Sequence, residues 1–141
     1  MNIAPELEDR WNLLNKEARP GLIESLSISV TDVQDGMVKA SMPVSNSVMQ
    51  PFGILHGGAS VALAETAASL GSVMIIDYKK ERASGIEINA NHLCSVKNGA
   101  VHATASLTHR GNRIHVWEIR IHDDRERLVC ISRCTVAITP A

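Results

Sequence analysis

The chain has 141 residues, 45% of them hydrophobic and 21% charged, with a formal net charge of −1. That size predicts one domain over 1–141, and the near-neutral balance excludes the basic excess of a nucleic-acid binder. One Phe and one Tyr give no aromatic platform for single strands, and no run reaches the roughly 18 apolar residues of a membrane span.

The opening MNIAPELEDR is acidic and lacks a signal-peptide pattern. Residues 4–18 read as a helix, with Leu7, Trp11 and Leu14 along one stripe as packing anchors, and RPG at 19–21 stops it. Short alternating strands fit 26–33 and 36–43, joined through the turn signal QDG. A Ser-, Asn- and Pro-rich loop leads to a long apolar helix from about Gly58 to Asp77, ended by DYKKERASG. In that segment, KKER at 79–82 reads as a solvated turn.

Strands then fit 85–96, 100–109, 113–122 and 128–139, separated by KNG, RGN and DDRER. In the second of these Val101, Ala103, Ala105 and Leu107 alternate with His102, Thr104, Ser106 and Thr108. This is the pattern of an antiparallel sheet with one covered face. Six strands and one apolar helix predict an α+β fold, a sheet wrapped around the helix. His102, His115 and His122 fall on sheet faces, and Trp117 reads as a core anchor.

Cys94, Cys130 and Cys134 form no CxxC and no metal-ligand spacing, which reads as reduced, buried thiols in a cytoplasmic protein. Six histidines contain no H-E-x-x-H or H-x-H cluster, so no metal is expected. Ser60, in GGASVA, lacks the second glycine of a nucleophile elbow.

The helix carries the chemistry. With Ser60 at zero on the wheel, Glu65 falls near 140°, Ser69 near 180° and Ser72 near 120°. One polar stripe thus interrupts a helix apolar almost all round, and a carboxylate there needs partners or a purpose. HGGAS starts the helix with consecutive backbone N–H groups, which favour negative charge and can hold an oxyanion. Gly57 and Gly58 allow close approach to that backbone. Gly57 and Glu65 are about 12 Å apart along the helix, so one carbonyl cannot reach both within one chain. If both act, a second copy of the chain supplies one of them, and two antiparallel helices would bring them together.

QPFGILHGGASVALAETAAS, with GIEINANHLCSV and LTHRGNR, resembles the hotdog-fold acyl-CoA thioesterases whose acidic residue is a Glu in the central helix. The resemblance spans about 22–139 and is nearest the 1,4-dihydroxy-2-naphthoyl-CoA hydrolase branch of menaquinone biosynthesis. It implies a hotdog fold, an aromatic CoA ester as substrate, and no cofactor, coenzyme A being part of the substrate. It also implies a homodimer with shared active sites, and pairs of dimers forming a homotetramer.

Carried over by residue, the resemblance makes Glu65 the nucleophile or general base and Gly57 N–H the main oxyanion donor. Gln50 would assist at the same oxygen, His56 would line the thioester, and Ser69 would orient the carboxylate or a water. Coenzyme A would lie against Gly85, against His92, Leu93, Cys94 and Ser95, and against His109, Arg110, Gly111, Asn112, Arg113 and Ile114. Relatives carry a basic residue and a Pro at Leu93 and Cys94. The family's H-x-G-R stands here as HRGNR, which redistributes phosphate contacts to Arg110, Arg113 or Lys97. Two other readings are a phenylacetate-type aryl-CoA thioesterase, whose relatives usually place Asp in the helix, and a non-catalytic acyl-CoA-binding domain.

Overall fold

In a computed structural model describing Met1–Ala141, the alternating segments pair into one seven-stranded sheet of order β1-β2-β3-β5-β6-β7-β4. The strands are β1 (Asn2–Ile3), β2 (Ser29–Gln34), β3 (Met37–Pro43), β4 (Glu81–His92), β5 (Ala100–Arg110), β6 (Ile114–Asp123) and β7 (Leu128–Pro140). All pairings are antiparallel except that of β1 with β2. The helices are α1 (Glu8–Glu17), α2 (Leu22–Ser25) and α3 (Gly57–Ile75). The α3 helix packs on β3, β4, β5, β6 and β7, so the sheet wraps one central helix.

The inner face follows the expected alternation. Val101, Ala103 and Ala105 of β5 are buried, as are Trp117, Ile119 and Ile121 of β6. They meet Leu63, Ala64, Ala67 and Ala68 of α3, and each fully buried large side chain contributes about 1.5–3 kcal/mol. By length and mean hydropathy α3 could cross a membrane, but half of it is buried within this fold, as suits a core helix.

Several boundaries differ from expectation, each for a local reason. The central helix starts at Gly57 and stops at Ile75. Asp77 then turns the chain: its carbonyl accepts from Lys80 and Glu81, and the Glu81 carboxylate accepts the Asp77 N–H. The next strand therefore begins at Glu81, so Glu81 and Arg82 are strand residues rather than turn. At its far end that strand stops at His92, and the Val96 carbonyl accepts from Leu55 in the loop before α3. Pro5 opens a separate 3-10 turn, Pro5–Leu7, so the N-terminal helix comes in two pieces. The two-residue β1, the four-residue α2 and the 3-10 turn Asn46–Val48 are too short to carry a periodic signal.

Trp117 and Gly71 lock the helix against the sheet. A Cβ at Gly71 would overlap the Trp117 ring, so only a glycine lets the indole lie on the helix backbone. The indole Nε1 donates to the Ser72 hydroxyl at 2.8 Å, and His115 Nδ1 lies 3.0 Å from the same oxygen. Ser72 thus faces the sheet and leaves the polar stripe that the wheel drew through it. Its hydroxyl has buried partners, and turning it outward would leave the indole N–H unpaired.

His115 is only 4% exposed, and burial is the main cause pushing its pKa below 6.5; nearby Arg110 and His109 add to this, while Glu81 opposes it. The unfolded chain then binds the proton more readily than the folded one. The contribution is complete above about pH 6.5 and is lost as pH falls towards the lower folded value. Denaturant midpoints should therefore drop more between about pH 7.5 and about pH 5 in the wild type than in His115→Gln. Separately, Gly71→Ala should cost about 1–3 kcal/mol by overpacking, read as a lowered Tm.

Candidate active site

The loop becomes helix at His56. Its backbone is extended, and its Nδ1 accepts the Gly58 N–H at 2.8 Å, which makes it the N-cap. The His56 carbonyl accepts from Ala59 and Ser60. Of the four N–H groups that open a helix, only that of Gly57 has no partner in the chain. Acceptance at Nδ1 assigns the proton of the neutral ring to Nε2, at the outer edge of the imidazole.

Gln50 is oriented by its own turn. Its Oε1 accepts the Phe52 N–H at 3.0 Å and its carbonyl accepts from Gly53, whose φ of +72° a glycine tolerates. With Oε1 engaged, the amide presents Nε2 as a donor. Gln50, His56, Gly57 and Ser60 line one cleft of about 510 Å³ with His92, Leu93, Cys94 and Ser95. A Cβ at Gly57 would stand 2.7 Å from His92 Nε2, so the imidazole sits directly against the helix start.

Glu65 lines a different cavity. With Thr66, Ser69 and Leu70 it faces a groove of about 1050 Å³ between α3 and the N-terminal segment. Its carboxylate rests against β4: a Cβ on Gly85 would lie 2.5 Å from Oε1 and 3.6 Å from the Ser69 hydroxyl. Gly85 is thus the position whose missing side chain leaves room for the carboxylate. Buried Cys134 registers the same charge, its thiol pushed up to about 11 by burial first and then by Glu65 and Glu87.

The other expected residues divide the same way. His92 to Ser95 lie at the Gly57 end of the sheet, where Cys94 lines the cleft and is half-buried rather than buried, unlike Cys130 and Cys134. The hairpin His109, Arg110, Gly111, Asn112, Arg113 and Ile114 lies at the Gly85 end, since Arg110 pairs with His115, His115 with Val136, and Val136 with Gly85. There Arg110 forms an ion pair with Asp35, and the Arg113 carbonyl accepts from Ile138. Lys97 lines a third, polar pocket with Arg125 and Arg127. Two residues escaped sequence reasoning as site features. Trp11 lines the Glu65 groove as well as packing on the core, and Phe52, beside Gln50, is 87% exposed. For Trp11 the stripe it shares with Leu7 and Leu14 was the available signal.

Residues 52–130 match the family described as the thioesterase superfamily. The chain belongs to the thioesterase superfamily. It is 49% identical over 118 residues to the 1,4-dihydroxy-2-naphthoyl-CoA hydrolase of Listeria monocytogenes, spanning 84% of this chain and 95% of that one. A thioesterase from Staphylococcus aureus is 52% identical with a TM-score of 0.82, over 84% of this chain and 98% of that one. A thioesterase from Pseudomonas aeruginosa has a TM-score of 0.86 at 39% identity, over 98% and 96%. The hotdog fold and thioesterase activity expected of this enzyme thus stand. The staphylococcal protein has been solved with a Glu and, separately, a Gln changed to Ala; the two stand fifteen positions apart in its sequence, as Gln50 and Glu65 do in this thioesterase.

Gly85→Ala should displace the Glu65 carboxylate, because real Cβ contacts do not close below 3.0 Å. The flexible end of a side chain can give way, so the Tm should stay near that of the wild type. A crystal structure of the variant checks the displacement, and an unmoved carboxylate would contradict it.

Proposed function

We propose that this thioesterase hydrolyses an aromatic acyl-CoA, of which 1,4-dihydroxy-2-naphthoyl-CoA is the best candidate, at two sites shared across a homodimer. The observation that carries the reading is the lone unpartnered N–H of Gly57 at the start of α3. A donor at a helix N-terminus with no internal acceptor is suited to an oxyanion. The substrate class is supported by the name of the listerial relative.

Within one chain the donor and Glu65 serve different cavities. β4 supplies a way to join them. It is an edge strand of 12 residues paired only with β7, and such an edge is a template for another strand. Gly85, against Glu65, and His92, against Gly57, lie near its two ends. A second copy of β4 pairing antiparallel, with its two-fold axis near Ile88 and Asn89, would set Gly85 of one protomer opposite His92 of its partner. Each carboxylate then meets the other chain's helix start, and each 109–114 hairpin approaches the other chain's 92–95 segment. Dimers of this kind would pair into the tetramer that the family resemblance implies.

In that site the thioester carbonyl oxygen accepts from Gly57 N–H and from Gln50 Nε2. The carboxylate of the partner's Glu65 attacks the carbonyl carbon to give a mixed anhydride, which water then opens; alternatively, it takes the proton of an attacking water. His56 Nε2–H faces the sulfur and supports the departing thiolate. Ser69, one turn from Glu65, orients the carboxylate or the water. No step needs a metal or a resident cofactor.

Glu65→Gln should keep the fold and lower kcat on naphthoyl-CoA by about 10³-fold, within the range general-base groups supply. A variant turning over at the wild-type rate in a thiol-release assay would end the mechanism. Gly57→Pro removes the N–H at a helix position that accepts proline; its Cβ, like that of Gly57→Ala, also pushes the His92 imidazole aside, so the donor's share is the difference between the two variants. It should lose about 10²–10³ in kcat, while Gly57→Ala, which keeps the N–H, should lose less.

A further inference from the structure

The groove that holds Glu65 has two walls of unlike origin. One is the half-buried face of α3: Val61, Ala62, Thr66, Leu70 and Val73. The other is the N-terminal segment, where Trp11 and Leu14 of α1 and Leu22 and Ile23 of α2 project into the same space. Leu22 and Ile23 are 62% and 51% exposed, so this is an apolar surface open to a ligand rather than closed core.

Besides the packing of Trp11 and Leu14 on the core, one polar clasp anchors the α1 wall. Arg10 NH1 donates to the carbonyl of Ile76, which caps the C-terminus of α3, and its guanidinium lies 4.7 Å from the centre of the Tyr78 ring. A cation there is favoured by the helix dipole and by the ring face. This clasp ties the residue before Trp11 to the C-terminal end of α3, and Trp11, Leu70 and Val73 line the same groove. Leu70 and Val73 stand five and eight residues beyond Glu65, or about 7–12 Å along the axis. That depth suits a fused bicyclic ring and is short for a long fatty chain.

Resting on the proposed thioester hydrolysis, we infer that α1 is the selectivity wall of the acyl pocket. Trp11 presents its ring to a flat, fused bicyclic aromatic acyl group and, with Leu70 and Val73, stops longer chains. Arg10 is a positioning residue that holds this wall in place. The energetic source is aromatic stacking combined with burial of apolar area.

The test compares kcat/KM on naphthoyl-CoA and octanoyl-CoA for the wild type, Trp11→Ala, Trp11→Phe and Arg10→Met. Trp11→Ala should raise KM for naphthoyl-CoA about tenfold, with kcat within about twofold and octanoyl-CoA unchanged or improved. Trp11→Phe should restore most of the preference, and Arg10→Met should shift it in the direction of Trp11→Ala by a smaller factor. Calorimetric titration with 1-hydroxy-2-naphthoate should give a Kd about tenfold weaker in Trp11→Ala than in the wild type, and one close to the wild type in Trp11→Phe. Equal effects of Trp11→Ala on both esters, or an unchanged Kd for the acid in Trp11→Ala, would overturn the inference. If the wild type cleaves neither ester but binds the acid in a Trp11-dependent way, the groove assignment stands and the hydrolytic reading fails. If neither is seen, both fall.

Discussion

Eight residues of one helix separate the unpartnered N–H of Gly57 from the carboxylate of Glu65. A helix is stiff on that scale, and the two groups lie about 12 Å apart along it. No side-chain rotation closes such a gap, because the donor is backbone and the carboxylate is seated against Gly85. The rest of the molecule is arranged around this fixed separation. Two cavities open at different places on α3, and the coenzyme-facing candidates divide between the same two ends of β4.

What keeps the separation rigid is the packing beneath the helix. The Trp117 ring lies on the backbone at Gly71, and its N–H donates to Ser72, which His115 also meets. These contacts hold the roll of α3 about its own axis. A few tens of degrees of rotation would swing Glu65 away from Gly85 and expose the indole. The core network is thus a positioning element for the site as well as a source of stability. Buried polar groups with complete partners specify one arrangement in this way.

Much of this was legible in the sequence. Alternation in 100–109 located the sheet's covered face, and the long run of Ala, Val and Leu located the core helix. HGGAS marked where the donors begin. The missing parts depend on contacts between distant residues. The wheel placed Ser72 beside Glu65 and Ser69, because an angle carries no knowledge of Trp117 or His115 on a strand over forty residues away. Strand ends at Glu81 and His92 were displaced by the turn at Asp77 and by Leu55 pairing with Val96, neither of which has a periodic signature. Gly85 read as a coenzyme A contact by resemblance, and only the fold shows whose oxygen it accommodates. Trp11 read correctly as a packing residue; its second surface, towards the groove, appears only when α1 is set over α3.

The central claim is that donor and carboxylate meet across two chains, and subunit mixing tests it directly. Glu65→Gln and Gly57→Pro proteins, each inactive alone, would be unfolded together, refolded as a one-to-one mixture and assayed on naphthoyl-CoA. Shared sites predict recovery to about a quarter of the wild-type rate, since half the dimers are mixed and each mixed dimer holds one intact pair. A mixture that forms mixed dimers yet stays as inactive as its components would contradict the account.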